Sequence, residues 1–138
     1  MTGIYQHTID AKGRLFIPAR LREELGEVFY VTLSMEKCLW AHSPDSWERL
    51  MEKIRGMTRA EQIKMRPLFS HANKCEPDSQ GRILLSKTLR DRVGLENSVT
   101  VVGNGEHAEF WDSEVWAAID ANESTTESFG QVFLELNF

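Results

Sequence analysis

Apolar and polar positions along this chain follow the same order twice, about half a chain apart. The segment DAKGRLFIPARLREELG at 10–26 matches DSQGRILLSKTLRDRVG at 78–94 with a constant offset of 68 residues. In each copy a polar Asp-x-x-Gly-Arg motif precedes alternating apolar positions, and apolar residues then recur at every fourth position. Alternation is typical of a strand, and a spacing of four is typical of a helix. The pattern predicts a turn, a strand and a short helix in each copy.

The two Asp-x-x-Gly-Arg motifs predict hairpin turns. The side chains of Asp10 and Asp78 can accept hydrogen bonds from backbone N–H groups of the turn. Gly13 and Gly81 supply the left-handed backbone conformation that closes such a turn at little steric cost. We expect these four residues to shape the turns rather than to contact a ligand.

The strand and the helix after each turn have one apolar face. In the first copy, alternation points Leu15 and Ile17 inward and leaves Arg14 on the opposite face, and Arg82 takes the matching position in the second copy. The helical spacing then predicts inward side chains in both copies: Ile17, Leu21 and Leu25, and Leu85, Leu89 and Val93.

Capping residues predict where the other helices begin. Ser43-Pro44 and the capping box Thr58-x-x-Glu61 each open a helix in the middle of the chain. Ser86 and Asp112 suit N-terminal caps in the second copy, and Pro67 is expected to end or kink the helix that Thr58 opens.

The repeat divides the chain into four segments. We expect a first repeat at 1–60, a linker helix at 61–71, a second repeat at 72–121, and a tail at 122–138 that is first acidic and then apolar. The tail either docks on a neighbouring surface or frays.

Charge is distributed unevenly around a net value of −5. After Arg92 the sequence has nine acidic residues and no Lys or Arg, whereas 10–26 and 78–94 together hold eight basic and five acidic residues. This pattern indicates a basic face on an acidic body, which favours contact with nucleic acid.

The sequence favours a cytoplasmic protein. No apolar run is long enough to span a membrane, and the start MTGIYQHTID lacks the basic and then apolar pattern of a signal peptide. Two cysteines are too few for a disulfide framework.

The basic hairpins are the strongest candidate binding site. Arginine at the position of Arg14 or Arg82 can donate two hydrogen bonds to guanine O6 and N7 in the major groove. Lys12 at the turn tip suits a phosphate or base contact, and four helical arginines suit supporting contacts: Arg20, Arg22, Arg90 and Arg92. The alternative interpretation is that Asp10 and Asp78 pair with the two hairpin arginines only to stiffen the turns.

A zinc site is a second interpretation. Cys38-x-x-x-His42 and His71-x-x-x-Cys75 together offer two thiols and two imidazoles. The alternative is that the cysteines are buried and the histidines partly exposed, as is common for both. Walker loops, HExxH and nucleophile elbows are absent from the sequence, so no enzymatic activity and no cofactor is expected.

The chain resembles the MraZ family of bacterial transcription regulators, a duplicated branch of the AbrB-type swapped-hairpin proteins. The resemblance extends over almost the whole chain and rests on DAKGRLFIPARLREEL, CLW…SPDSWERL, FSHANKCEPDSQGRILL and EFWDSEVW. It implies an α+β fold in which two tandem AbrB-like βαβ-type repeats interleave into a pseudo-twofold swapped-hairpin β-barrel with flanking helices.

The resemblance also implies a function. Members form ring-shaped homo-oligomers and bind tandem G-rich direct repeats upstream of the division and cell wall gene cluster, which they usually repress. The DNA-contacting role then belongs to the two motifs at 10–14 and 78–82, and the protein is nucleoid-associated. Gln80 stands where the first copy has Lys12, so the two hairpins need not contribute equally. A protein-interaction module of the same fold, like the antitoxins, is the rival interpretation.

Overall fold

Two antiparallel sheets and seven helices make up residues 1–123 and 127–137, the part of the chain that the computed structural model describes. The mixed α+β class is confirmed. In chain order the elements are β1 (Ile4–Thr8), β2 (Arg14–Phe16), α1 (Ala19–Leu25), β3 (Phe29–Leu33), β4 (Leu39–His42), α2 (Pro44–Arg55), α3 (Arg59–Lys64), α4 (Arg66–Ser70), β5 (Asn73–Cys75), β6 (Arg82–Leu84), α5 (Lys87–Val93), β7 (Ser98–Asn104), β8 (His107–Asp112), α6 (Ser113–Glu123) and α7 (Glu127–Glu135).

The larger sheet has six strands in the order β1-β7-β8-β4-β3-β5. The first strand of each repeat pairs with a strand of the other repeat, since β1 lies against β7 and β5 lies against β3. The centre of the sheet is the β4–β8 pair, where Leu39 faces Phe110 and Ala41 faces Ala108. The repeat makes β1 equivalent to β5, β3 to β7 and β4 to β8. With these strands matched, the order of the sheet is the same read from either end.

The smaller sheet is a ribbon of two strands, β2 and β6, that joins the two hairpin motifs. Leu15 faces Ile83 at its centre. Two further hydrogen bonds extend the pairing on either side, from the Ile17 N–H to the Gly81 oxygen (2.9 Å) and from the Leu85 N–H to the Gly13 oxygen (3.0 Å). We call β2 and β6 the ribbon.

The described strands do not form the closed β-barrel that the resemblance implies. They form two sheets, and an isolated bridge between Ile9 and Leu15 connects the end of β1 to the ribbon. A closed barrel would need the edge strands β1 and β5 to pair with each other or with the ribbon, and within the described residues only the single Ile9–Leu15 bridge makes such a link. The three-residue strands β2 and β6 pair with each other, so the two hairpin motifs form a sheet of their own instead of extending the larger one.

The core contains the apolar positions that the two repeats share. Every inward side chain predicted for the strand–helix segments is at most 3% exposed: Leu15, Ile17, Leu21, Leu25, Ile83, Leu85, Leu89 and Val93. These residues pack with side chains of the large sheet, including Phe29, Val99 and Phe110, in one cluster. The ribbon therefore covers the core with one face and leaves the other toward solvent.

Helix boundaries follow the predicted caps. The side chains of Ser43 and Ser86 accept from the Ser46 and Leu89 N–H groups, and Thr58 with Glu61 forms a complete capping box. Two short helices, α3 and α4, lie where we expected one linker helix, because Pro67 stands in the first turn of α4 and cannot continue α3.

The C-terminal tail contains a second helix after α6. Residues 128–137 are exposed in and around α7, and 124–126 and 138, which the tail prediction also covered, lie outside the described residues. In the described ranges no helix is long and apolar enough to cross a membrane.

Candidate nucleic-acid interface

The first hairpin turn is held together by the side chain of Asp10. The backbone closes the turn with a hydrogen bond from the Gly13 N–H to the Asp10 oxygen (3.0 Å). Asp10 Oδ1 accepts from the N–H groups of Lys12 (3.0 Å) and Arg14 (2.9 Å). Asp10 Oδ2 accepts from Arg14 Nε at 2.6 Å. One carboxylate thus fixes both the loop and the arginine side chain beside it.

The second hairpin repeats this geometry. Asp78 Oδ1 accepts from the N–H groups of Gln80 (2.9 Å) and Arg82 (3.0 Å), and Asp78 Oδ2 accepts from Arg82 Nε at 3.0 Å. The pKa of each aspartate lies below its usual value, chiefly because the backbone N–H of Arg82, or of Arg14 in the first turn, donates to the carboxylate. Both carboxylates therefore stay charged at neutral pH.

The two arginines lie on the same outer face of the ribbon. Arg14 faces Leu84 across the pair, and Phe16 faces Arg82. Because alternate residues of a strand share a face, these four side chains form the surface opposite the buried Leu15–Ile83 pair. Arg14 and Arg82 are diagonal neighbours, which ordinary antiparallel geometry places about 7–8 Å apart. The side chains of Arg14 and Arg82 are 33% and 28% exposed.

The aspartate contact leaves part of each guanidinium available. In the described residues, the side-chain hydrogen bonds of Arg14 and Arg82 are made through Nε. A guanidinium has five N–H donors in a fixed fork, so the two Nη groups keep four of them. The pairing of each arginine with its aspartate is therefore present in the structure. It still leaves the Nη groups of each arginine able to make a bidentate contact with a ligand on the outer side.

Two helical arginines cross over to the hairpin of the other repeat. Arg90 of α5 donates from Nε to the Leu85 oxygen (3.1 Å), and a Cβ built on Gly13 would lie 2.9 Å from Arg90 Nη2. Arg22 of α1 donates from Nε to the Ile17 oxygen (2.9 Å), and a Cβ on Gly81 would lie 2.9 Å from Arg22 Cζ. The tertiary fold thus brings Arg14, Arg22, Arg82 and Arg90 to one region.

The other predicted contact residues are exposed and do not repeat between the two hairpins. Lys12 is exposed at the tip of the first turn, and Gln80 is exposed at the matching tip. Arg20 and Arg92 are exposed on α1 and α5 but are not equivalent in the repeat. With the offset of 68 residues, Arg20 aligns with Thr88 and Arg92 aligns with Glu24.

The outer face also contains residues that the sequence reasoning did not single out. Phe16 lies opposite Arg82 on this face, with the Arg22 guanidinium 5.6 Å from its ring centroid and the His7 ring 5.0 Å away. Leu84 is 63% exposed at the equivalent position of the second repeat. Alternation along each strand, counted from Arg14 and from Arg82, places Phe16 and Leu84 on the same face as the arginines.

The four residues of the alternative zinc interpretation do not come together. Cys75 belongs to the main core cluster, whereas Cys38 packs in a separate cluster with Trp111. Burial raises the pKa of each thiol to about 12, which disfavours the thiolate that zinc requires. Among residues 1–123 and 127–137, the one cluster of three side chains of metal-ligating types consists of Glu36, Cys38 and Glu109.

Comparison with known proteins gives a consistent family match. The profile of the family described as "MraZ protein, putative antitoxin-like" matches residues 1–66 and 68–133. A Transcriptional regulator MraZ of Heliobacterium modesticaldum is 44% identical over 94% of this chain and 92% of its own length. Proteins of the same name from Carboxydothermus hydrogenoformans (44% identical; 83% and 82% of the two chains) and Symbiobacterium thermophilum (40%; 99% and 99%) are also similar.

Proposed function

The chain belongs to the MraZ family, and on that premise we propose that it is a transcriptional regulator, with no enzymatic activity, that binds duplex DNA through the outer face of the ribbon. The observation that carries this proposal is the pair of arginines, Arg14 and Arg82, held side by side on that face by Asp10 and Asp78. The names of the similar proteins support the regulatory role.

The shape of the ribbon suits the major groove of DNA. That groove is about 12 Å wide and admits a two-stranded β-ribbon. Leu15 and Ile83 anchor the inner face of the ribbon in the core, so the outer face moves with the folded domain as a rigid unit. A rigid platform lowers the entropic cost of ordering long arginine side chains on binding.

The guanidinium geometry suits guanine. Arg14 and Arg82 use Nε for aspartate and can direct the Nη donors at guanine O6 and N7, the commonest specific contact in protein–DNA complexes. Two such contacts on one face agree with a G-rich target. In this role Asp10 and Asp78 are positioning residues that fix the direction of each fork.

Phosphate contacts supply the remaining affinity. Lys12 at the turn tip and Arg22 and Arg90 beside the hairpins are suited to the DNA backbone on either side of the ribbon, and Arg20 and Arg92 are supporting contacts at the helices. The acidic remainder of the chain disfavours DNA elsewhere, so binding is confined to the ribbon side.

The biological role follows the family. The protein binds tandem G-rich repeats in the promoter of the division and cell wall gene cluster, represses that cluster, and works in the cytoplasm at the nucleoid as a ring-shaped homo-oligomer. In this assembly the two repeats of each chain would interleave in the swapped-hairpin manner. The exchange of β1 and β5 between the repeats supports that arrangement.

A salt titration of DNA binding tests the proposal. A duplex with the tandem G-rich repeats is compared with a shuffled duplex of equal length, for the wild type, Arg14→Ala, Arg82→Ala and the control Arg49→Ala, an exposed arginine of α2 paired with Glu106. Each ribbon variant is expected to lose roughly 10- to 100-fold affinity for the repeats and much of its preference over the shuffled duplex. Equal binding of both duplexes by the wild type, or unchanged preference in both folded ribbon variants, would contradict the proposal.

A protein-interaction module like the antitoxins is the second candidate. The family description favours it. This function would be the better conclusion on two results together. A small basic protein would co-purify with the chain, and the wild type would bind the repeat duplex and the shuffled duplex equally.

A further inference from the structure

The C-terminal helix α7 has an apolar stripe that the rest of the described chain leaves exposed. Phe129 and Val132 are 65% and 61% exposed, and their spacing of three places them on one side of the helix with Phe133. Leu136, which is 63% exposed, follows directly after the helix. A stripe of this kind ordinarily faces a partner surface.

A groove with complementary chemistry lies between α2, α3 and α4. It has a volume of about 640 Å³, and its apolar lining includes Ile63 and Phe69, which are 46% and 40% exposed. Three arginines stand around it: Arg55, Arg59 and Arg66. Arg55 pairs with Glu48 at 3.1 Å, and none of the ion pairs of the described residues includes Arg59 or Arg66.

The charges of the two surfaces are opposite. In sequence, the chain after Arg92 has nine acidic residues and no Lys or Arg, whereas the groove carries three arginines. An apolar stripe on an acidic segment therefore matches an apolar groove flanked by basic residues. Opposite charges at the rim of an interface guide association and fix its orientation.

We propose that α7 of one chain docks in the α2–α3–α4 groove of a second copy of the same chain. The helix-in-groove mode uses side chains at three- and four-residue spacing as anchors, as this stripe provides. Helix and groove are different surfaces, so the contact is head-to-tail and generates a closed ring if the rotation between neighbours closes. The inference gives a structural basis to the homo-oligomer of the proposed function and rests on it in that respect alone.

Two single substitutions with exposed side chains test the docking. Val132→Asp places a charge on the stripe, and Ile63→Asp places one in the groove; Met35→Asp is the control, since Met35 is 89% exposed and outside the groove. Sedimentation velocity at tens of micromolar is expected to show wild type and Met35→Asp as oligomers and the other two variants as monomers. Wild type that is monomeric, or Val132→Asp or Ile63→Asp of wild-type size, would refute the proposal.

Mixing the two monomeric variants identifies the second chain. The Ile63→Asp chain retains an intact α7 and the Val132→Asp chain retains an intact groove, so their mixture should form a dimer of twice the monomer mass and no larger species. If both variants stay monomeric when mixed, α7 docks in its own chain and the proposal is wrong.

A charge variant separates this surface from DNA binding. Arg59→Gln combined with Arg66→Gln should weaken assembly and its salt dependence, with unchanged affinity for a duplex of a single repeat. Loss of DNA affinity with assembly intact would instead make the groove a DNA surface and overturn the inference. Assembly of wild type that binds neither duplex would refute the proposed function and leave the docking proposal standing.

Discussion

Gly13 of the first repeat leaves open the space beside Arg90 of the second, since Arg90 Nη2 lies only 2.9 Å from the position where a Gly13 Cβ would stand. Gly13 also has φ +83°, in the left-handed region that favours glycine. The glycine therefore serves two purposes: it allows the left-handed conformation of its turn, and it leaves room for a side chain of α5 in the second repeat.

The two purposes of Gly13 can be separated by comparison with Gly105. Gly105 has φ +72° but no atom within 4 Å of a built Cβ. Gly105→Ala should cost about 1–2 kcal/mol of unfolding free energy, the cost of the left-handed conformation alone. Gly13→Ala should cost about 1–3 kcal/mol more, because Arg90 must also move and the backbone oxygen of Leu85 lies 3.1 Å from the added Cβ.

Urea denaturation of both variants measures the difference. The double variant Gly13→Ala/Arg90→Ala should recover part of the additional loss, since the guanidinium is gone but the Leu85 oxygen remains. Equal losses for Gly13→Ala and Gly105→Ala would show that the contact with Arg90 has no energetic weight.

Asp10 is expected to control the base preference of Arg14 without touching DNA. Asp10→Asn keeps a side-chain oxygen for the N–H groups of Lys12 and Arg14 but loses the charged partner of Arg14 Nε. The fold should remain, and affinity for the G-rich duplex should fall roughly tenfold, the low end of the loss of one bidentate contact.

Competition with the shuffled duplex checks the specificity of this loss. Asp78→Asn is the matched variant in the second hairpin and should behave alike, because its contacts are the same. An equal fall on both duplexes would assign Asp10 to overall stability rather than to positioning.

Lys12 and Gln80 offer a reciprocal test of the phosphate contacts. They occupy equivalent turn tips and both are exposed. Lys12→Gln should weaken binding to all sequences and reduce the slope of log affinity against log salt by about one, and Gln80→Lys should raise that slope by about one. Slopes unchanged in both folded variants would place the turn tips outside the DNA contact.

His42 should make the protein less stable in acid. It is buried in the centre of the large sheet, where its Nδ1 lies 3.2 Å from Ser46 Oγ and its ring faces His107. Burial, assisted by His107, lowers the pKa of His42 from 6.5 to about 4. The unfolded chain therefore binds the proton more readily between these pH values, and stability falls as pH drops from 6.5 to 4, by at most about 3 kcal/mol.

Urea unfolding of wild type and His42→Asn at pH 7, 5.5 and 4.5 isolates this effect. Asparagine cannot take up the proton, and every other titrating group is common to both proteins. The variant should show the weaker dependence on pH in this range. Parallel stability curves would mean that His42 titrates alike in the folded and unfolded chains.

The geometry of each hairpin was predictable from the sequence because all of its contacts are local. Asp10 reaches the backbone of Lys12 and Arg14 within five residues, and Gly13 provides the φ that the turn requires. The same reasoning gives the second hairpin, and the apolar period gives the buried faces of the strand and helix after it. The α+β class and the capped helix starts follow from such short-range patterns.

Tertiary structure alone decided which strands are partners and what stands around the arginines. Hydrophobic alternation determines that Leu15 is buried, but not that it faces Ile83 of the other repeat, because many pairings bury the same side chains. The meeting of Arg14 with Arg82, the approach of Arg90 to Gly13 and the open arrangement of the two sheets all depend on that choice. The sequence by itself determined the two local arginine–aspartate units, and the long-range pairing of β2 with β6 made them one surface.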